Sequence, residues 1–104
     1  MNESSKDSGP KFEALAVPPP ALELGGYEVL RAAIADGNLH VSLRRAFDEP
    51  ETWGILLADV ARHLGRIYAL EAGMREDEVV EKVWAMFEAE MERPTDTGKT
   101  NAIS

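Results

Sequence analysis

Apolar residues recur along this chain at two different periods. Between 38 and 45 they alternate. Leu39, Val41 and Leu43 fall on one side, and Asn38, His40, Ser42 and Arg44 on the other, as in a half-buried strand. From 48 to 72 they recur every three or four residues. Trp53, Leu56, Leu57, Val60, Leu64, Ile67 and Tyr68 gather on one broad face of a helix. A second face of the same helix collects Ala58, Ala61, Gly65, Ala69 and Ala72, small residues that let another backbone come close. This helix is therefore expected to be packed on two sides, with Ile55 left among polar residues as a candidate surface contact. Asp48 is placed to cap it, Pro50 is tolerated in its first turn, Glu51 fits a capping box, and Gly73 suits its C′ position.

A second helix is predicted over 76–92. Its stripe is Val79, Val80, Val83, Trp84, Phe87 and Met91. Acidic residues crowd its first turn, which suits the helix dipole. Glu78 and Lys82 form a favourable i,i+4 pair, and Pro94 prevents continuation. The short connection EAGMRED makes the two helices an antiparallel hairpin.

Residues 27–35 are ambiguous by pattern. Their alanine content favours a helix ending at Gly37. Yet Asp36-Gly37-Asn38 is a hairpin turn signal, and the strand that follows needs a partner for its backbone groups. The strands of such a hairpin would cover roughly 28–35 and 39–45. Upstream, FEALAVPPPALEL at 12–24 reads as an extended polyproline II lead-in, with Phe12, Leu15 and Val17 free to pack on the domain. Three prolines can also serve an aromatic groove, but plain linkers use them too, and no basic residue flanks these. Gly25-Gly26 reads as a hinge. Residues 1–11 and 93–104 are too poor in apolar side chains to offset their ordering entropy and are expected to be flexible.

Charge and composition narrow the function more than they name it. The net charge of −8 opposes binding to nucleic acid, whose affinity rests on Lys and Arg at phosphates, and to anionic membranes. The chain has no cysteine, which excludes disulfides, zinc–thiolate sites, iron–sulfur clusters and thiol catalysis. With no secretory h-region and no apolar run long enough to span a bilayer, the expected location is the cytoplasm. A length of 104 residues suits one domain.

Read together, ADGNLHVSLRRAF, DEPETWGILLADVARH and MFEAEMERPTD resemble a family of short alphaproteobacterial proteins, a domain of unknown function, over about residues 15–97. In that family the segment matching Arg31–Ala35 is richer in Trp and Val. The resemblance therefore implies a strand there and favours the hairpin. It implies no activity, and no functional residue is carried over.

Several groupings could carry chemistry, and each has a plainer explanation. Asp59 and His63 are spaced i,i+4 on one helix face, where a carboxylate can orient an imidazole or share a metal with it. His40, the other histidine, could join them if the helix crossed its strand. The plainer reading is a boundary histidine at the edge of the apolar face, and two ligands make no metal site. Arg62 and Arg66, with Arg44, Arg45 and Arg31, could converge on an anion. Ion pairing with the abundant carboxylates explains them as well. The acidic face Glu78, Glu81, Glu88 and Glu92 is a solvated surface, since acid–base work needs a pocket that separates pKa values. Gly98-Lys99-Thr100 echoes a phosphate loop, but Arg93 stands where the pattern needs glycine. Asn2-Glu3-Ser4 fits a glycosylation sequon without a secretory context.

The expected fold is α+β: an antiparallel β-hairpin, then an antiparallel two-helix hairpin. The alternative is an α-β-α-α order with the strand paired across a dimer. The chain divides into a lead-in (1–24), one domain (25–93) and a tail (94–104). A two-stranded sheet is marginal alone, and its edge invites a second copy or a third strand from residues 12–17. A homodimer is expected. The expected function is a non-enzymatic protein-interaction or regulatory module with an unidentified protein partner and no cofactor. Two alternatives remain. One is a small-anion or metal binding protein using His40, Arg44, Asp59, Arg62, His63 and Arg66. The other is an enzyme using Asp59 and His63.

Overall fold

The computed structural model describes residues 11–95 and the backbone of 99–103. The first ten residues with their sequon, and Gly98 of the Gly-Lys-Thr string, lie outside the described residues. Along the chain come α1 (Pro19–Leu24), β1 (Leu30–Ala35), β2 (Asn38–Arg44), α2 (Thr52–Ala72), α3 (Glu76–Glu92) and β3 (Lys99–Ile103). The α+β order of a hairpin followed by two long helices matches the expectation from sequence.

The hairpin is set by its turn. Asp36 and Gly37 both take positive φ, 54° and 76°, the conformation of a two-residue turn whose twist suits the flanking strands. Antiparallel register follows, with Ile34 opposite Leu39, Ala32 opposite Val41 and Leu30 opposite Leu43. These six residues share one face of the sheet, because side chains alternate along each strand. The alanine-rich stretch is thus a strand. The need of β2 for a partner outweighs alanine's helix propensity, a matter of only a few tenths of a kcal/mol per residue, roughly.

Three local expectations are corrected. The lead-in is not extended throughout. Pro18 keeps polyproline-like angles (φ −58°, ψ 136°), but Pro19 and Pro20 sit at the first two positions of α1, where a missing N–H costs nothing. The second correction concerns α2, which begins at Thr52 rather than at residue 48. Residues 49–54 make i→i+3 bonds instead, from Thr52 N–H to the Glu49 carbonyl and from Trp53 N–H to the Pro50 carbonyl. Pro50 disfavours the helical region for the residue before it, so Asp48 caps nothing. The third correction is the extra strand. It comes not from 12–17 but from 99–103, which pairs parallel to β2 with His40 opposite Lys99 and Arg44 opposite Ile103.

α2 ends as expected. Gly73 is left-handed (φ 71°), and its N–H bonds the Tyr68 carbonyl. The small-residue face of α2 receives α3. A Cβ added at Gly65 would lie 3.1 Å from the Glu76 carbonyl oxygen and 3.2 Å from Val80 Cγ2, so the two backbones are nearly in contact there. Val79 is 4% exposed, and among the described residues no other hydrophobic side chain is buried to that degree. At the start of α2, Trp53 meets Phe47 edge-on with ring centroids 5.1 Å apart. Beyond that the molecule is open. Among the described residues, no strand contacts α2 or α3. The radius of gyration is 16.8 Å, against about 13 Å for a compact domain of this length.

Candidate functional site

The polar edge of α2 carries Asp59, Arg62, His63 and Arg66 over two turns. Spacing alone suggests that Asp59 meets His63. In the structure each of them meets the arginine three residues ahead. Arg62 Nη1 donates to Asp59 Oδ1 at 3.4 Å, and Arg66 Nη1 lies 3.1 Å from His63 Nδ1. A guanidinium has no acceptor, so in that bond Nδ1 is the accepting, unprotonated ring nitrogen. Both members of the Asp59–Arg62 pair are more than half exposed, where such pairs contribute little.

The residues of β2 stand elsewhere. His40 and Arg44 lie on the sheet, out of contact with α2, so the six candidate residues do not converge. Arg44 is occupied by its own hairpin. Its Nε donates to the Glu28 carbonyl at 3.0 Å, and its guanidinium lies 5.0 Å from the centre of the Tyr27 ring. Arg31 pairs with Glu28 at 3.0 Å and lies over Phe12 at 5.4 Å. A shallow, half-open cavity of about 130 Å³ lies beside Glu28, Arg31, Ser42 and Arg44. A wider cleft of about 1020 Å³ runs between the lead-in and β1, with Phe12, Leu15, Val17 and Ile34 on its walls. Among the described residues no group of three or more His, Asp or Glu could hold a metal ion.

The start of α3 shows what a well-formed ion pair looks like in this protein. Arg75 Nη2 donates to Asp77 Oδ2 at 2.7 Å and Nε to Oδ1 at 3.2 Å, while the Glu78 N–H bonds Oδ1 at 2.8 Å. The Arg75 hydrogen bond holds the Asp77 carboxyl below its ordinary value against an opposing desolvation, with further help from the Arg75 charge and the Glu78 N–H. A carboxyl depressed in the folded state stabilises it above the unfolded pKa, and that contribution fades as the pH falls through the folded value. Asp77→Asn is therefore expected to lower stability slightly at pH 7 and to flatten the acid limb below about pH 4. Urea midpoints measured across that range check it. An unchanged acid limb would count against the pair.

The conspicuous feature is apolar. Along α2, Leu57, Val60 and Ile67 are 45%, 42% and 46% exposed. On α3, Trp84 and Phe87 stack at 5.6 Å and are each about half in solvent, and Met91 one turn on is mostly exposed. On the sheet, the cross-strand pair Ile34 and Leu39 is exposed. The sequence holds the signal for this. The small-residue face of α2 receives α3, which leaves Leu57, Val60 and Ile67 of the larger apolar face partly in solvent.

A family model for a domain of unknown function, DUF5076, matches residues 14–95. Among solved structures, a protein provisionally named a pyruvate dehydrogenase, from the photosynthetic bacterium Rhodopseudomonas palustrus CGA009, is 46% identical. The match covers 93% of this chain and 99% of that one, with a TM-score of 0.68. No curated protein matches.

Proposed function

Because the chain belongs to the DUF5076 family and takes no reaction from it, we propose that it is a non-enzymatic protein-interaction or regulatory module of the cytoplasm. One observation carries this reading: large apolar side chains stand in solvent on ordered helices and strands, where a monomer has no use for them. The groups that could do chemistry point the other way. Asp59 and His63 are each bonded to a separate arginine, so neither orients the other. An acid–base role for that pair gains no support. No helix is long and apolar enough to cross a membrane among the described residues.

Photo-crosslinking in cells tests this. A photoreactive residue at Ile67 or Trp84 is expected to capture protein, and one at the polar position Glu71 is not. If neither apolar position yields a protein adduct, the interaction reading fails. A second reading, small-anion binding, draws on Arg62 and Arg66 standing one turn apart on α2. The name of the Rhodopseudomonas relative makes pyruvate the first anion to titrate. Saturable heat lost in Arg62→Ala and Arg66→Ala would favour this second reading.

A further inference from the structure

The interaction reading leaves the partner open, and resting on that reading, we propose that the partner is a second copy of this chain. The two copies are packed so that the apolar face of each sheet lies on the α2 face of the other.

A sheet with one apolar face is stable when a helical layer covers it. Leu30, Ala32 and Ile34 with Leu39, Val41 and Leu43 make such a face here, yet α2 and α3 of the same chain do not touch it. α2 in turn presents a helical stripe of half-exposed aliphatic residues, with Val60 and Ile67 at its centre, and no strand of its own chain reaches it among the described residues. These are the two halves of one sandwich, held apart within a single chain. Each copy carries both halves, so a two-fold axis closes both contacts at once and leaves neither face over.

Burial agrees. Among the described residues Val79 alone is a buried hydrophobic side chain, and the radius of gyration is 16.8 Å, so there is less core here than a stable monomer of this size requires. Charge opposes the association, since each chain carries −8. The dimer should therefore tighten as salt screens that repulsion.

The test uses the full chain. Sedimentation, repeated over a series of protomer concentrations because dimer stability depends on them, should give twice the 11.4 kDa chain mass. Ile67→Asp should halve that mass. Because that variant could also unfold, a second measurement keeps the question open to refutation. The native chain has no cysteine, so Leu39→Cys and Val60→Cys can be made separately and mixed under oxidising conditions. The mixed Leu39→Cys/Val60→Cys disulfide should form in preference to either homotypic one. A folded monomer, or a dimer that yields only homotypic disulfides, overturns the proposal. A monomer that still captures another protein through Ile67 in cells would leave the interaction reading standing without this partner. A monomer that captures nothing would end both.

Discussion

Val79→Asp is expected to abolish the cooperative unfolding transition of this protein. Val79 stands in the first turn of α3, its N–H bonded to the Arg75 carbonyl at 3.1 Å, and its side chain is 4% exposed. A carboxylate there loses its water, while Arg75, one turn away, is already bonded to Asp77 and Lys82 stands in solvent. Its neighbours in the same turn are Glu76, Asp77 and Glu78, all acidic. An uncompensated buried charge costs roughly 3–5 kcal/mol, a large share of the total stability of a small domain, which is about 5–15 kcal/mol. Val79→Ala loses only apolar contact and a small cavity's worth of packing, roughly 1–3 kcal/mol, and should retain a shifted but cooperative transition. Urea titrations followed by far-UV circular dichroism distinguish the two. A cooperative Val79→Asp variant near the wild-type midpoint would mean that α2 and α3 are not held together at this point.

Gly65→Leu should be nearly as damaging, for a different reason. A helical glycine costs about 1 kcal/mol relative to alanine, so substitution inside α2 gains propensity wherever space allows. At Gly65 it does not. The new Cβ would meet the Glu76 carbonyl oxygen at 3.1 Å, and that atom belongs to backbone at the start of α3 and cannot swing aside. The rest of a leucine side chain has no room unless the helices separate, which also opens the cover over Val79. We expect a loss of roughly 2–4 kcal/mol, combining overpacking with lost contact. Gly65→Ala should come out within about 1 kcal/mol of wild type, since the propensity gain and the tight contact oppose each other. At Gly54, also in α2, an added Cβ meets nothing within 4 Å. Gly54→Ala should therefore stabilise the helix by roughly the propensity difference. Thermal midpoints of the three variants test the series, and Gly65→Leu matching Gly54→Ala would refute the close approach.

The strong local signals were legible in the sequence. The Asp36-Gly37 turn fixed the hairpin because both residues tolerate positive φ, and the alternation through Leu39, Val41 and Leu43 named the face they share. Gly73 and the acidic start of α3 marked the helical hairpin. Less legible were features in which composition and geometry disagree. Three prolines suggest an extended segment, yet two of them open α1, because the first helical positions need no N–H. Lys99–Ile103 has two strand formers, Thr100 and Ile103, but no apolar alternation, and pairs through backbone groups, which no side-chain pattern reports. At the candidate site the i,i+4 rule placed Asp59 beside His63. It could not weigh Arg62 and Arg66, which lie at i,i+3 and take each of them. The distance between sheet and helices was beyond any periodicity argument, since a wheel tells which face is apolar and not what meets it.

The pairing of β2 with β3 has a consequence for synthesis. The turn between β1 and β2 spans two residues, and the link between α2 and α3 is nearly as short, so both hairpins close as soon as they are made. β3 joins β2 only after some sixty further residues. For that interval β2 offers an open row of donors and acceptors to any extended chain nearby. On a polysome the nearest such chains are other copies of this protein. Exchange of the last strand between nascent neighbours is thus the misassembly this topology invites, and slowing translation between α3 and β3 should increase it.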